Sequence, residues 1–205
     1  FATCTLPLRD FKAVAAAGEA TINDLLLATC SGALRQYLAG HHELPKRSLV
    51  AAVPLSLRES GEGAAGNQVT MLPCPLGTDQ KTPRARLAAI QAGMNKVKGT
   101  KTSFRDLIPT DYPSLGSPWL MSGLAQLYAR TRLADRIPLP ANLVISHVPG
   151  PPVTLYLAGA RMTTYFPVSI VVHGLALNIT VHSYDGKLHL GLIACRKNVP
   201  DLPKL

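Results

Sequence analysis

The sequence predicts an α/β fold, a two-layer sandwich in which helices pack on one mixed, largely antiparallel sheet. Two observations lead to this class. Segments with helical periodicity alternate with short apolar strand-like runs over the first part of the chain, and strand-like runs dominate its last third. With 205 residues, of which 47% are hydrophobic and 16% charged, the chain is long enough to bury a core.

Four helices are predicted, at residues 9–20, 21–40, 82–99 and 117–137. The second has the clearest signals, because Thr21 is a good N-cap, Asp24 follows three residues later, and Gly40 suits a helix end. The third and fourth each start with a hydroxyl N-cap followed by proline, which favours the first helical turn. Apolar residues surround much of the second helix, so we expect it to be buried on more than one side.

Strands are predicted at residues 1–8, 48–57, 68–76, 142–148, 154–159, 160–172, 176–184 and 187–195. A glycine-rich loop separates the second from the third. The last two form a hairpin, since Asp-Gly at 185–186 is a favoured two-residue turn between alternating runs. Pairing Tyr184 with Lys187 places His182 opposite His189.

One face of this hairpin is apolar and the other is polar, and the polar face carries Asn178, Thr180, His182 and His189. Two cross-strand histidines could hold part of a metal site, but no carboxylate or third histidine is in obvious reach. We therefore expect this polar face to be exposed to solvent.

The composition narrows the class of partner. A formal charge of +9 favours nucleic acid, an anionic membrane surface or a phosphorylated cofactor. Nucleic acid is disfavoured, because the basic residues are dispersed and aromatic residues make up only 5% of the chain. Four widely spaced cysteines without a CxxC pair indicate a reduced, cytoplasmic protein, and no apolar span approaches the roughly 18 residues that cross a bilayer. The chain starts at Phe1 without an initiator Met, so we expect a fragment of a longer protein.

The paired histidines in GHHELPKR, residues 40–47, are the obvious candidates for a catalytic base. The helix before them ends near Gly40 and Pro45 precedes the next strand, so this segment is predicted to be a solvent-exposed loop. A general base needs a shaped, partly desolvated pocket and a partner that fixes its tautomer. Nothing close to His41 and His42 in the sequence supplies either.

The segment ANLVISHVPGPPV, residues 141–153, is the most informative stretch. An apolar strand runs into PGPP, whose prolines fix φ while Gly150 allows a sharp reversal. Alternation along the strand points Ser146 and His147 to opposite faces. A hydroxyl on such a rigid strand end can donate to a developing oxyanion, whereas the simpler alternative is a rigid turn between two strands.

Four separated segments carry a resemblance to a known family, at residues 22–38, 53–76, 142–169 and 174–196. In their residue patterns and their order along the chain, they resemble the C-terminal half of bacterial wax ester synthase/diacylglycerol acyltransferases. The resemblance covers essentially the whole chain. These enzymes are similar to the coenzyme A-dependent acyltransferase superfamily, whose fold is two similar α/β domains with an active-site tunnel between them. The resemblance therefore implies half of a chloramphenicol acetyltransferase-like fold.

The resemblance also implies that the paired histidines are not catalytic. The family motif is HHxxxDG, in which the second histidine deprotonates the acceptor alcohol for attack on the acyl-CoA thioester. In HHELPKR, Lys46 and Arg47 stand in place of the Asp and the Gly, and the segment lies at the wrong place in the family order. We expect the true motif in an N-terminal half that this chain does not contain, with residues 1–205 forming the C-terminal acyltransferase domain.

Two matching motifs supply candidate catalytic residues. Asn23 and Asp24 match the family's ND motif near the active site, although Asp24 is also placed to complete a helix capping box. The residues that match the family's NxxxSNVPGP pattern are Asn142, Ser146, Pro149, Gly150 and Pro151. His147 replaces the second Asn of that pattern, so the resemblance leaves Ser146 as the candidate donor to an oxyanion or substrate.

A further region resembles the part of the family associated with selectivity for the alcohol and the acyl chain. Its matching residues are Gly159, Ala160, Met162, Pro167, Val168 and Ser169. Such residues would set the width of the tunnel, since each methylene against a wall contributes about 1 kcal/mol, and ordinary strand packing is the alternative. Lys96, Lys98 and Lys101 at the basic end of the third helix could meet the phosphates of coenzyme A, although a solvated helix end is the simpler explanation.

These expectations describe the C-terminal domain of an enzyme that moves a long acyl chain from acyl-CoA to a fatty alcohol or diacylglycerol, without a metal or a permanently bound cofactor. Its partners would be its own N-terminal half, acyl-CoA and the acceptor, with contact to the inner membrane or lipid inclusions. This chain alone is expected to be inactive. The alternative is a non-catalytic module of the same fold that binds a lipid or membrane surface.

Overall fold

A computed structural model describes residues 1–56, 69–99, 122–123, 126–127, 130, 140–172 and 174–205. The strands are Ala2–Pro7 (β1), Val50–Ser56 (β2), Val69–Pro75 (β3), Leu143–Pro149 (β4), Tyr156–Leu157 (β5), Ala160–Arg161 (β6), Leu177–Tyr184 (β7) and Lys187–Ala194 (β8). The helices are Leu8–Gly18 (α1), Ile22–Gly40 (α2) and Pro83–Gly99 (α3), and a 3₁₀ turn spans Leu202–Lys204. The fourth predicted helix, at residues 117–137, falls outside the continuously described ranges.

Six of the described strands form one mixed sheet, in the order β1-β8-β7-β4-β2-β3. β8 pairs antiparallel with both β1 and β7, β4 pairs in parallel with both β7 and β2, and β2 pairs antiparallel with β3. Since helices pack against this sheet, the predicted α/β class is confirmed. The predicted hairpin register is also confirmed, because Tyr184 pairs with Lys187 and His182 pairs with His189.

Local signals position the central helix α2. The Thr21 hydroxyl accepts a hydrogen bond from the Asp24 N–H (3.1 Å), and the Asp24 carboxylate accepts one from the Thr21 N–H (3.0 Å). The predicted capping box is therefore present. Leu26 and Leu27 are completely buried, and burial of each stabilises the fold by about 1.5–3 kcal/mol. α2 packs against both α1 and α3, so it forms the centre of the helix layer.

The side of the sheet that faces the helices, called the helix face, is almost entirely apolar. Alternate residues of the strands point toward α2 and α3. The buried ones are Ala51, Val53, Leu72, Cys74, Leu143, Ile145, Leu177, Ile179, Val181, Leu188, Leu190 and Leu192. Cys30 of α2 belongs to the same core, and burial raises the pKa of its thiol to about 12. The thiol therefore stays protonated and packs as an apolar side chain.

The largest departure from the predicted elements concerns residues 160–172. Only Ala160–Arg161 form a strand there, paired with Tyr156–Leu157 in a separate two-stranded sheet. Residues 165–170, called the strap, instead cross the other side of the main sheet. The predicted strand was wrong because this segment binds the sheet through side chains of β7 and β8 and not through backbone pairing.

The strap also corrects the expectation of an exposed polar face on β7 and β8. His189 is completely buried, and Asn178 and Thr180 are only 6% and 9% exposed. A Cβ at Gly191 would overlap the carbonyl oxygen of Pro167, so the strap lies directly on β8. This side of the sheet is called the strap face.

No helix within the described ranges is long and apolar enough to cross a membrane. In the same part of the chain, no group of three histidine, cysteine or acidic side chains could hold a metal ion. The four cysteines are all free thiols.

Candidate functional site

A cavity of about 560 Å³, called the strap cavity, lies between the strap segment and the parallel strands β2 and β4. Its lining residues from the sheet include Ala52, Pro54, Val144 and Ser146, and those from the strap and the residues after it include Val168, Ser169, Ile170 and Val172. Asn178 and Thr180 contribute buried polar groups to the same lining. Small-molecule sites typically enclose about 300–1,000 Å³, so this mostly apolar cavity can accommodate an aliphatic chain.

Ser146 presents a hydroxyl to the strap cavity. It lies on β4 opposite Thr180 of β7, while His147 pairs with the core residue Val181 and points to the opposite face as predicted. The Ser146 side chain is half-buried and has no hydrogen-bond partner among the described residues. A free hydroxyl in an apolar cavity can donate a hydrogen bond to a ligand oxygen.

The carboxyl end of β4 approaches the backbone of β7 closely. The Gly150 N–H donates to the Ser183 hydroxyl (3.1 Å), and a Cβ at Gly150 would overlap the Ser183 carbonyl oxygen. Such an approach requires glycine. The rigid strand end predicted from PGPP is therefore present, four residues after Ser146.

Asn142 lies at the other end of β4. Its Oδ1 accepts a hydrogen bond from the Val50 N–H (2.8 Å), and its own N–H donates to the Val50 carbonyl (2.8 Å). These two bonds join the start of β4 to β2, and Asn142 does not line the strap cavity. Its contacts here are structural, and its substrate-binding role stays a prediction.

Asn23 and Asp24 lie in the first turn of α2, within the helix layer. The Asp24 carboxylate is buried and completes the capping box, and neither residue lines the strap cavity. The structural alternative therefore accounts for Asp24. A catalytic role for either residue stays a prediction.

Three of the predicted selectivity residues belong to the strap. Val168 and Ser169 line the strap cavity, and Pro167 is buried where the strap lies on the sheet. Because Val168 is 73% exposed, its side chain borders open space and not the packed core. A ligand in the cavity would meet this side chain directly.

The other three predicted selectivity residues lie in the turn between β5 and β6, in β6 and directly after it. Gly159 has a φ of 82°, which favours glycine, and Ala160 beside it is exposed. The Met162 N–H donates to the Leu155 carbonyl (2.9 Å), and the Met162 carbonyl accepts from the Tyr184 hydroxyl (2.9 Å). None of the three selectivity residues at this turn lines the strap cavity.

The basic residues predicted to meet coenzyme A lie at and beyond the end of α3. Lys96 is exposed, whereas the Lys98 side chain and Lys101 lie outside the described residues. α3 packs in the helix layer, on the opposite side of the sheet from the strap cavity. The structure therefore does not bring Lys96 to the cavity.

Aromatic contacts hold the first half of the strap on the sheet. Tyr165 stacks on His182, with ring centroids 4.7 Å apart, and Phe166 meets His189 edge-on at 5.2 Å. His189 is fixed in turn by a 3.3 Å hydrogen bond between its Nδ1 and the Thr5 hydroxyl. The cross-strand histidine pair is thus a platform for the strap.

Asn178 holds the second half of the strap. Its Nδ2 donates to the Ser169 Oγ (3.0 Å) and to the Ile170 carbonyl (2.9 Å), and its Oδ1 accepts from the Thr180 hydroxyl (3.0 Å). This role was not apparent from the sequence, because alternating polar residues suggested a solvated strand face. One signal in the sequence could have indicated the cover. The largely apolar run SIVV, residues 169–172, follows Pro167 closely and could lie over the polar face of β7 and β8.

Burial makes three histidines of the sheet, on β4, β7 and β8, weak bases. Burial lowers the pKa of His182, of His189 and of His147. The charge of His182 is a second, smaller cause that also lowers the pKa of His147. Nε2 of His147, Nδ1 of His182 and Nε2 of His189 are buried and have no hydrogen-bond partner in the part of the chain that the structure describes. We expect all three rings to be neutral near pH 7.

His41 and His42 lie in the loop after α2, as predicted, and neither lines the strap cavity. His41 Nε2 lies 3.3 Å from the Asp201 carboxylate, which also accepts a hydrogen bond from the Tyr37 hydroxyl. The Tyr37 bond, with help from Lys204, lowers the pKa of Asp201 to about 2. Asp201 comes from the distant C-terminal segment, so the residues around His41 in the sequence gave no sign of this contact.

The chain belongs to the WS/DGAT C-terminal domain family, whose sequence profile matches residues 65–205. O-acyltransferase WSD of Acinetobacter baylyi is 39% identical over 205 residues, which cover 100% of this chain and 43% of that protein. A Mycobacterium tuberculosis protein named as a candidate diacylglycerol O-acyltransferase, Rv3480c, is 39% identical over 206 residues, which cover 100% of this chain and 41% of that protein. The resemblance inferred from the sequence motifs is confirmed.

Solved structures have the same fold. The wax ester synthase/diacylglycerol acyltransferase from Marinobacter aquaeolei VT8 superposes with a TM-score of 0.75 at 33% identity, covering 99% of this chain and 44% of that chain. The first condensation domain of the CDA synthetase superposes with a TM-score of 0.52 at 12% identity, a likeness of fold alone. The chain thus spans less than half the length of the acyltransferases it matches.

Proposed function

We propose that the complete protein containing this chain is an acyl-CoA-dependent O-acyltransferase, which moves a long acyl chain to a fatty alcohol or diacylglycerol. The observation that carries the proposal is the strap cavity, an apolar space of about 560 Å³ whose lining includes the Ser146 hydroxyl, which has no hydrogen-bond partner among the described residues. The names of the relatives from Acinetobacter and Marinobacter support the same reaction. Residues 1–205 would form the C-terminal domain of this enzyme.

In the proposed reaction, a general base takes the proton of the acceptor hydroxyl, whose oxygen attacks the thioester carbonyl carbon. The C–S bond then breaks, and coenzyme A leaves and is protonated to the thiol. The base is expected from an HHxxxDG motif in an N-terminal half, since His41 and His42 do not line the strap cavity. Ser146 would donate a hydrogen bond to the oxygen on which negative charge develops.

The aliphatic part of a substrate would lie against the apolar lining of the strap cavity. Val168 and Ile170 border its open side, and Ala52 and Val144 form part of the sheet surface beneath. Each buried methylene contributes about 0.8 kcal/mol, so the position of these walls would determine which chain lengths bind well. Acyl-CoA enters this scheme as a substrate.

The test is the release of coenzyme A thiol from palmitoyl-CoA by the complete protein, with hexadecanol or diacylglycerol as acceptor. We expect turnover by the wild type and a loss of roughly 10²–10³ in kcat for Ser146→Ala, the usual effect of removing one oxyanion donor. His42→Ala, in the exposed loop, is the control and should retain the wild-type rate.

Equal rates for the wild type and Ser146→Ala would remove Ser146 from the mechanism. If palmitoyl-CoA binds but no acceptor gives thiol release, the protein is instead the non-catalytic lipid-binding module. A lower rate in His42→Ala would make the paired histidines candidates for the catalytic base.

Contact with a membrane surface or a lipid inclusion is a further part of the proposal. Leu157 and Tyr156, which form β5 beside the turn to β6, are 83% and 65% exposed. The net charge of +9 favours anionic lipid. The complete protein should float with vesicles containing phosphatidylglycerol, and Leu157→Asp should reduce the recovered fraction. Equal recovery of both proteins would contradict contact through this turn.

A further inference from the structure

We propose that Asn178 is a positioning residue that sets the shape of the strap cavity and, through it, the length of aliphatic chain that the protein accepts. The inference rests on the proposed function and names what would determine its specificity. Three observations support it: how the strap is attached to the sheet, which of its side chains line the cavity, and how Asn178 uses its hydrogen-bonding groups.

The strap has few attachments to the sheet. Among the described residues, no backbone–backbone hydrogen bond joins residues 165–170 to β7 or β8. Ring contacts and the close fit of Pro167 on Gly191 hold its first half. The hydrogen bonds from Asn178 to Ser169 and Ile170 hold its second half. Loss of the Asn178 donors would therefore release one end of the strap and leave the other in place.

The end held by Asn178 is the end that lines the cavity. Val168, Ser169 and Ile170 all contribute to the lining. The Val168 and Ile170 side chains are 73% and 70% exposed, so their own burial does little to hold them in place. The position of this wall thus depends on its backbone, and the backbone depends on Asn178.

The surroundings of Asn178 determine the orientation of its amide. The Ile170 carbonyl can only accept, so it requires the Nδ2 donor, while the Thr180 hydroxyl donates to Oδ1 from the other side. With Asn178 only 6% exposed, water is poorly placed to substitute for a lost bond. An aspartate would set an acceptor oxygen against the Ile170 carbonyl. Asn178→Asp therefore keeps the size of the side chain but removes its donors.

The experiment measures kcat/KM of the complete protein for acyl-CoAs from octanoyl to stearoyl, and separately for primary alcohols from octanol to octadecanol. In Asn178→Asp we expect the preference among chain lengths to flatten by at least about fivefold in one of the two series, because one wall of the cavity moves. Thr180→Val loses only the hydroxyl that orients Asn178, so it should shift the same preference by less. An unchanged preference in both series, or an equal loss at every chain length, would overturn the proposal.

Cleavage within residues 165–172 by a broad-specificity protease, identified by mass spectrometry, gives a readout that does not depend on turnover, because a segment released from the fold is cut faster. Cleavage there should be faster in Asn178→Asp. The matched control is Asn198→Asp, which makes the same chemical change on an exposed side chain in the turn after β8, and its strap cleavage should be that of the wild type. Unchanged strap cleavage in Asn178→Asp would also overturn the proposal.

Two further comparisons distinguish a failure of this proposal from a variant that does not fold and from a failure of the proposed function. If Asn178→Asp does not fold, Thr180→Val and Ser169→Ala, which removes one partner of Asn178, carry the same comparison. If the wild type turns over no substrate, the proposed function fails. The chain-length comparison is then made by equilibrium binding of the same acyl-CoAs, and protease cleavage of the strap still tests the role of Asn178.

Discussion

The two faces of the main sheet differ in how they are covered. On the helix face, α2 and α3 pack leucine, isoleucine and methionine side chains on an apolar surface. On the strap face, one short segment covers buried histidine, asparagine and threonine side chains and leaves a cavity of about 560 Å³. Stability thus comes mainly from one face, and space for a ligand is kept on the other without opening the core.

Leu26→Ala tests the helix face and should have the largest effect on stability. Leu26 is completely buried in the core, so the variant should lower the free energy of unfolding by about 2–5 kcal/mol. Val168→Ala on the strap, where the side chain is 73% exposed, should change it by less than about 0.5 kcal/mol. Urea unfolding of the complete protein measures both. Similar losses in the two variants would mean that the strap is as much part of the core as α2.

Gly191→Ala tests how closely the strap lies on the sheet. The new methyl group would overlap the Pro167 carbonyl oxygen, so either the strap or β8 must move, and we expect a loss of about 1–3 kcal/mol. Gly40→Ala is the matched control, because no described atom beyond its own helix backbone and chain neighbours lies within 4 Å of the added Cβ. It should be neutral or slightly stabilising in the same urea assay. A neutral Gly191→Ala would show that the strap is not in contact there.

The pH dependence of unfolding should give the smallest effect, and it tests the buried histidines. Burial holds the pKa of His182 and His189 below the unfolded value of 6.5. As the pH falls through that value the unfolded chain binds more protons than the folded one, so stability decreases. Asp201 has a pKa of about 2, so its contribution to the free energy of unfolding is lost only at much lower pH.

Thermal unfolding from about pH 7 to about pH 5, on either side of the usual histidine pKa, measures this dependence. His189→Gln should reduce the slope, because it removes one buried titrating ring. His42→Gln, in the exposed loop, should leave the slope as in the wild type. The same slope in His189→Gln would assign the dependence to other groups.

Local signals were enough to predict α2 and the β7–β8 hairpin. Thr21 and Asp24 form their capping box within three residues, and the Asp-Gly turn at 185–186 determines the pairing of the two strands it joins. The PGPP motif likewise predicted the rigid end of β4 and directed attention to Ser146. These features depend on residues that are neighbours in the sequence.

The strap could not be predicted in this way. Its segment TTYFPVSIVV has the composition of a strand, because strand propensity describes residues that fit a half-buried surface, and the strap lies on such a surface. What excludes backbone pairing is the set of side chains beneath it, of which Asn178 and Gly191 come later in the chain. The contact between His41 and Asp201 was missed for the same reason, since it joins two distant segments.

Attachment through side chains alone gives the strap unusual freedom to vary. Substitutions at Val168 or Ile170 would change the lining of the strap cavity, and neither residue takes part in the strand pairing of the main sheet. Antibody frameworks gain diversity in a comparable manner, by carrying interchangeable loops on an invariant sandwich. Under the proposed function, exchange of this one short segment would be a direct route for engineering new chain-length preferences onto the same architecture.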